Sequence, residues 1–133
     1  MLQRDYIMRL IEQLSGVIAR LVFAKQAKNF DEALQIARTA YDELFGLSGE
    51  MVHELDAATL AQLVNDKEKT RALAKLLLEE GEVLVAKGHA EAGRARFKKS
   101  LLLYEAVVKK LGKSGDEDCE EAIEFLQERL AKT

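Results

Sequence analysis

Two histidines and one cysteine, with the carboxylates and lysines near them, are the residues of this chain with chemistry to offer. Glu50-Met51-Val52-His53 has the Glu-x-x-His spacing that sets a carboxylate and an imidazole on one face of a helix. Di-iron helical bundles use that pair, but they need it twice, with two further glutamates on facing helices. The second histidine, His89, has Ala86 three residues before it, so the second pair is missing and no metal site is expected. Cys119 would serve as a nucleophile only beside a general base such as His53 or His89. Its neighbours Asp116, Glu117, Asp118, Glu120 and Glu121 oppose a thiolate, which marks Cys119 as a buried structural thiol. Gly112-Lys113-Ser114-Gly115 contains the Gly-Lys-Ser of a phosphate loop, without the earlier glycine or the strand that such a loop follows. Arg94, Arg96, Lys98 and Lys99 cluster without an aromatic stacking platform, as a solvated helix face does. No catalytic residue, cofactor site or metal site is assigned, and the chain is not expected to be an enzyme.

The elements that would position these residues are helices. The chain of 133 residues has no proline and is dominated by Ala, Leu, Glu, Lys and Arg. Its length suits one domain with a core that needs neither disulfide nor metal. A formal net charge of −3, with both signs interspersed, argues against a nucleic-acid binder and against a basic membrane-surface helix. No apolar run approaches the roughly eighteen residues that span a bilayer. Met1-Leu2-Gln3-Arg4-Asp5 lacks the basic start and continuous apolar run of a secretory signal. A lone cysteine fits a reducing compartment. The expectation is a soluble cytoplasmic protein that binds neither nucleic acid nor membrane.

In chain order, Gln3 to Lys28 reads as a long helix. Tyr6, Ile7, Leu10, Ile11, Leu14, Val17, Ile18, Leu21 and Val22 cover an arc of roughly 160°, more than one neighbouring helix needs. Asn29 is placed to cap the next helix, which runs to Phe45 with Ala33, Leu34, Ala37, Tyr41 and Leu44 inward and Gly46 as its stop. Leu47 to Asp66 reads as one or two short helices; Asp56 caps Ala57 to Val64, and Asn65-Asp66 ends it. Thr70 to Lys87 and Ala90 to Leu111 then fold back on each other across Lys87-Gly88-His89. Phe97, Leu101, Tyr104, Val108 and Leu111 mark the inner face of the second of these, which Gly112 closes. Asp116 to Lys132 is the last helix, with an apolar stripe of Cys119, Ala122, Ile123, Leu126 and Leu130.

Leu77, Gly81, Leu84, Gly88, Phe97 and Ser100 fall at the signature spacing of a tetratricopeptide repeat, with Gly93 at another of its small-residue positions. The segment resembles that motif, although Leu77 replaces its usual Trp, Leu84 its Tyr, and no Pro follows. Phe30-Asp31-Glu32-Ala33, with Ala37 and Ala40, resembles the second helix of another repeat. The resemblance implies an all-α domain over 1–133, built as antiparallel hairpins in a tetratricopeptide-repeat-like array. Its parts are a hairpin over 3–45, an insert over 47–66, a hairpin over 70–111 and a capping helix over 116–132. Leu2 to Gln13 and Leu77 to Tyr104 also resemble a family of short uncharacterised bacterial proteins of this fold, to which no activity is attached.

The inner surface that the resemblance implies carries Ser15, Ile18, Val22 and Lys25 from the first hairpin. From the second it carries Lys75, Leu78, Glu82 and Val85. Ile18, Val22, Leu78 and Val85 are aliphatic, and such a surface calls for cover. The insert, a second subunit in a homodimer, or a partner helix could supply it. The expected function is a protein–protein interaction or scaffold module for a protein or peptide partner; the alternative is a small self-associating structural protein.

Overall fold

The computed structural model describes residues 2–111 and 117–132, with side chains over 4–109 and 117–132. All regular structure in these residues is helical. In chain order the helices are α1 (Leu2–Gln26), α2 (Phe30–Phe45), α3 (Gly49–Glu54), α4 (Ala57–Val64), α5 (Lys67–Lys87), α6 (Ala90–Leu111) and α7 (Glu117–Ala131).

Local chemistry sets most of the boundaries. Gly46 and Gly88 end α2 and α5 in the left-handed conformation, at φ 67° and 101°, where a Cβ would be strained. Ser48, Asp56 and Asp66 cap α3, α4 and α5, accepting hydrogen bonds from the amides of Met51 (3.1 Å), Thr59 (2.7 Å) and Lys69 (2.8 Å). Two sequence expectations are corrected by this geometry. Asp66 starts α5 rather than ending α4, so α5 begins at Lys67 and not at Thr70; Asn65 alone ends α4, at φ 50°. Asn29 makes no side-chain cap for α2; Lys28 takes the left-handed conformation, and the Asn29 amide donates back to the Ala24 carbonyl at 2.8 Å. The expected closure at Gly112, the loop at 113–115 and the start at Asp116 lie outside the described residues.

Helix α5 is the centre of the molecule. It packs chiefly on α6 and also against α2 and α1, while α7 lies on α6. The insert does not lie along α1: α3 packs on α2, and α4 on α6. The core gathers Leu21, Tyr41, Leu60, Leu77, Phe97 and Leu126, all essentially inaccessible. Helix α1 buries Ile7, Leu10, Leu14, Val17 and Leu21, but Ile18 and Val22 are half-buried, and Tyr6 and Ile11 are exposed. Its wide apolar arc therefore has an edge that the fold does not cover. Leu101, expected inside, is half-buried against the core.

The α5–α6 hairpin closes on two glycines. A Cβ on Gly81 would meet the Phe97 ring at 2.6 Å, and one on Gly93 would meet Val85 at 2.6 Å and the Gly81 carbonyl oxygen at 2.9 Å. A side chain can swing aside, but the opposing backbone cannot. The buried Ser100 hydroxyl donates to the Ala74 carbonyl at 2.7 Å across the same contact. Gly93→Ala is expected to lose about 1–3 kcal/mol by overpacking, and Phe97→Ala about 3–5 kcal/mol by leaving a cavity. Gly16, mid-helix with nothing within 4 Å of its Cβ position, provides the contrast: Gly16→Ala is expected to gain about 0.5–1 kcal/mol. Urea denaturation of the three variants measures all of these, and a neutral Gly93→Ala would contradict the close approach.

Candidate functional site

Two features stand out on opposite sides of α5. The first is a buried polar cluster. Glu80 lies at the end of the row Leu73, Leu77, Glu80, so it points into the core and is only 3% exposed. Its Oε1 accepts a 2.7 Å hydrogen bond from the Tyr41 hydroxyl of α2. His53 Nε2 of α3 lies 3.0 Å from both carboxylate oxygens. A carboxylate only accepts, so this nitrogen carries the proton. Arg96 Nε of α6 stands 3.2 Å from Oε1, as a charge contact without the alignment of a hydrogen bond. The Tyr41 and His53 rings meet edge to face at 5.9 Å. Beside them, Lys99 of α6 donates to the carbonyls of Val52 (2.8 Å) and His53 (2.7 Å), the last turn of α3.

These positions correct two sequence readings. His53 does not form an exposed pair with Glu50; it turns inward to Glu80. The basic cluster is not a uniformly solvated face: Arg96 and Lys99 turn inward, Arg94 donates to the Leu130 carbonyl, and Lys98 is exposed. Burial pushes the Glu80 carboxyl up, but the hydrogen bond and charge of His53, the Tyr41 hydroxyl and the Arg96 charge outweigh it. The net result lies below the ordinary glutamate value. Burial, reinforced by Glu80, holds the Tyr41 phenol far above its usual range. Burial followed by the Arg96 charge lowers Lys99. The hydrogen bonds and charge contacts that converge on buried Glu80 tie α2, α3, α5 and α6 together. Among the described residues no group of three or more His, Cys, Asp and Glu side chains converges to hold a metal ion. Cys119 is buried, and burial raises its thiol pKa, with Glu68 and Asp118 adding to the effect and Arg71 opposing it.

The second feature is an open cleft of about 630 Å³ bounded by α1, α5 and α7, with Tyr104 of α6 at its base. Ile11 and Leu14 line it from α1, Ala72, Lys75, Leu78 and Glu82 from α5, and Glu121, Ala122 and Phe125 from α7. Ile11 and Phe125 are 36% and 39% exposed.

The positions carried over from the repeat resemblance divide around this cleft. Lys75, Leu78 and Glu82 line it, with Lys75 paired to Glu79 at 3.0 Å and Glu82 to Arg129. Val85 is half-buried and directed at Gly93. On α1 the cleft is lined one turn upstream of the expected stretch. Ser15 is exposed, its hydroxyl bonded to the Ile11 carbonyl at 3.2 Å; Ile18 and Val22 pack partly on the core, and Lys25 is half-buried. The insert is absent from the lining; the second wall is α7. Phe125 falls outside the apolar stripe read from the sequence because it lies one position before buried Leu126. Its place three residues beyond Ala122 is the signal that could have found it.

The described residues thus form an all-helical fold with a polar cluster around buried Glu80 on one side of its central helix and an open apolar cleft on the other. A family profile covers residues 1–132, and the chain belongs to that family, a family of unknown function (DUF6483). No curated protein and no solved structure matches it. No helix among the described residues is long and apolar enough to cross a membrane.

Removing Glu80 leaves Arg96 without its counter-charge, so Glu80→Ala is expected to cost about 3–5 kcal/mol. The pH dependence has a definite sign. The folded-state pKa of Glu80 is below the ordinary 4.5, so in acid the unfolded chain binds the extra proton. The stabilisation is complete above the ordinary value and is lost as pH falls through the folded value. The stability gap between wild type and Glu80→Gln should therefore narrow below pH 4.5 in urea titrations; a constant gap would contradict the network.

Proposed function

We propose that this protein is a protein-interaction module, not an enzyme, and that the cleft between α1, α5 and α7 is its binding surface. One observation carries the reading: an apolar cleft with exposed Ile11 and Phe125 that none of the chain's described segments fills. A helix-walled cleft of this kind is suited to receiving a helix or an extended peptide. The tetratricopeptide-like reading agrees with it, since such an array would line its inner surface with the first helix of each hairpin, here α1 and α5. The charged groups of the polar cluster are engaged in holding α2, α3, α5 and α6 together, away from this cleft.

A photo-crosslinking residue at Phe125 in the intact protein, expressed in its native cells, tests the reading. A control crosslinker at exposed Glu43, away from this cleft, reports unspecific contact. The expected result is a discrete protein adduct from Phe125 that the control position does not give. No adduct, or the same adducts from both positions, would overturn the proposal. Cys119→Ser should leave the adduct unchanged, because the thiol is buried and takes no part in the cleft surface.

A further inference from the structure

Helix α1 has a second surface, turned away from the cleft. By helical periodicity Arg9, Glu12, Gln13, Ala19, Arg20 and Phe23 fall within about 60° of Gly16, on the side opposite Ile11 and Leu14. All of them are exposed, and Phe23, at 74%, is the most exposed large apolar side chain described. Beside this face α1 and α2 leave a shallow groove. At one end Phe23 stands next to Glu32 and Ile36. At the other end is a hollow of about 160 Å³, lined by Tyr6, Arg9, Leu10 and Leu44 among others. Gly16, Arg20 and Glu43 border the middle. A Cβ on Gly16 would meet nothing within 4 Å, so the single chain makes no packing use of a residue that a helix interior disfavours. Among the described residues Arg9, Glu12, Arg20 and Glu43 make no ion pair.

The order of these side chains is self-complementary. Arg20 and Glu12 stand equally far to either side of Gly16, and so do Phe23 and Arg9. Against an antiparallel copy crossing at Gly16, each Arg20 meets Glu12 of the other copy, with Glu43 along the same stretch of groove. Each Phe23 then arrives at Arg9 of the other copy, beside the hollow. A parallel copy would set Arg9 on Arg9 and Arg20 on Arg20, like charge against like. One patch that complements itself is what a two-fold interface requires.

We infer that a second copy of this chain docks antiparallel on α1, the two helices crossing at Gly16 and Phe23 of each copy seated in the hollow beside Tyr6 and Leu10 of the other. The missing side chain at Gly16 lets the two backbones approach closely. Phe23 is the apolar anchor, with the Arg9 guanidinium placed to lie over its ring. The Arg20–Glu12 pair, formed twice by the symmetry, sets direction and register. The cleft lies on the other side of α1 and stays open to a partner, so this interface and the reading of the cleft stand or fall separately.

Sedimentation equilibrium of the full chain at micromolar concentrations tests it, and the wild type is expected to be a dimer. Arg20→Glu and Glu12→Arg each bring like charges together twice in the interface, and each should weaken the dimer at least about tenfold. The double change Arg20→Glu with Glu12→Arg restores opposite charges and should return the affinity to within about threefold of wild type. Phe23→Ala should weaken the dimer about tenfold, and Gly16→Leu should do so by holding the backbones apart. All four positions are exposed, and circular dichroism confirms that the variants are folded. A monomeric wild type, a dimer indifferent to Phe23→Ala, or a charge swap as weak as its parents would each overturn the inference. A dimer that Ile11→Lys dissociates while Phe23→Ala and Arg20→Glu leave it intact would place the second copy in the cleft and overturn it as well. A crosslinker at Glu43, on the border of this face, should join two copies of the chain, an adduct distinct from any that Phe125 gives.

Discussion

One carboxylate joins four helices at a single point. Glu80 on α5 receives Tyr41 from α2, His53 from α3 and Arg96 from α6, all within 3.2 Å of its oxygens. A charged group this deep is costly unless it is met by charge and hydrogen bonds together, and here it has both. The cluster also specifies geometry, because a hydrogen-bonded carboxylate tolerates far less sliding than leucine packed on leucine. The next residue in the chain, Gly81, has no side chain and lets the backbone of α6 come close at Gly93. Two adjacent residues of α5 thus fix its neighbours by opposite means, one by polar contacts and one by the absence of a side chain.

The sidedness of α5 follows from this. The cluster occupies the side facing α2, α3 and α6, and the short insert is recruited there to supply His53 and to take up Lys99. Having docked on that side, the insert cannot cover the other. The cleft is left with α1 and α7 as walls, and these two helices share no extensive packing. Its openness is a consequence of where the polar cluster draws the insert.

Much of the fold is legible in the sequence because it is written locally. Gly46, Gly88 and Asp56 act through their own conformation or side chain, and the structure uses each as its residue type suggests. Asp66 is legible only in part, since a capping aspartate serves equally well as the end of one helix or the start of the next. The orientation of charged residues is written elsewhere in the chain. Arg94, Arg96, Lys98 and Lys99 look alike along α6; what separates them is the Glu80 carboxylate and the carbonyls of α3, many residues away. Glu80 itself did leave a trace, as the one carboxylate on the otherwise apolar row of Leu73, Leu77 and Leu84. Only part of the cleft is written locally. Its α5 contribution follows from helical periodicity, whereas the turn of α1 that shares it depends on where α7 lies, and no local pattern encodes that.

Helix α3 has six residues, too few to persist as a helix unaided. Besides its packing on α2, its side-chain ties go to partners remote in sequence: His53 reaches Glu80 across 27 residues, and Lys99 reaches Val52 across 47. The α5–α6 hairpin, by contrast, is joined by a tight turn and can assemble from neighbouring segments. Loop-closure cost therefore favours early assembly of the hairpin and late latching of α3, since distant contacts bear the larger cost. The same order reversed governs fluctuation in the native state. The α3 amides are expected to exchange with solvent through a partial opening that leaves the α5–α6 hairpin intact.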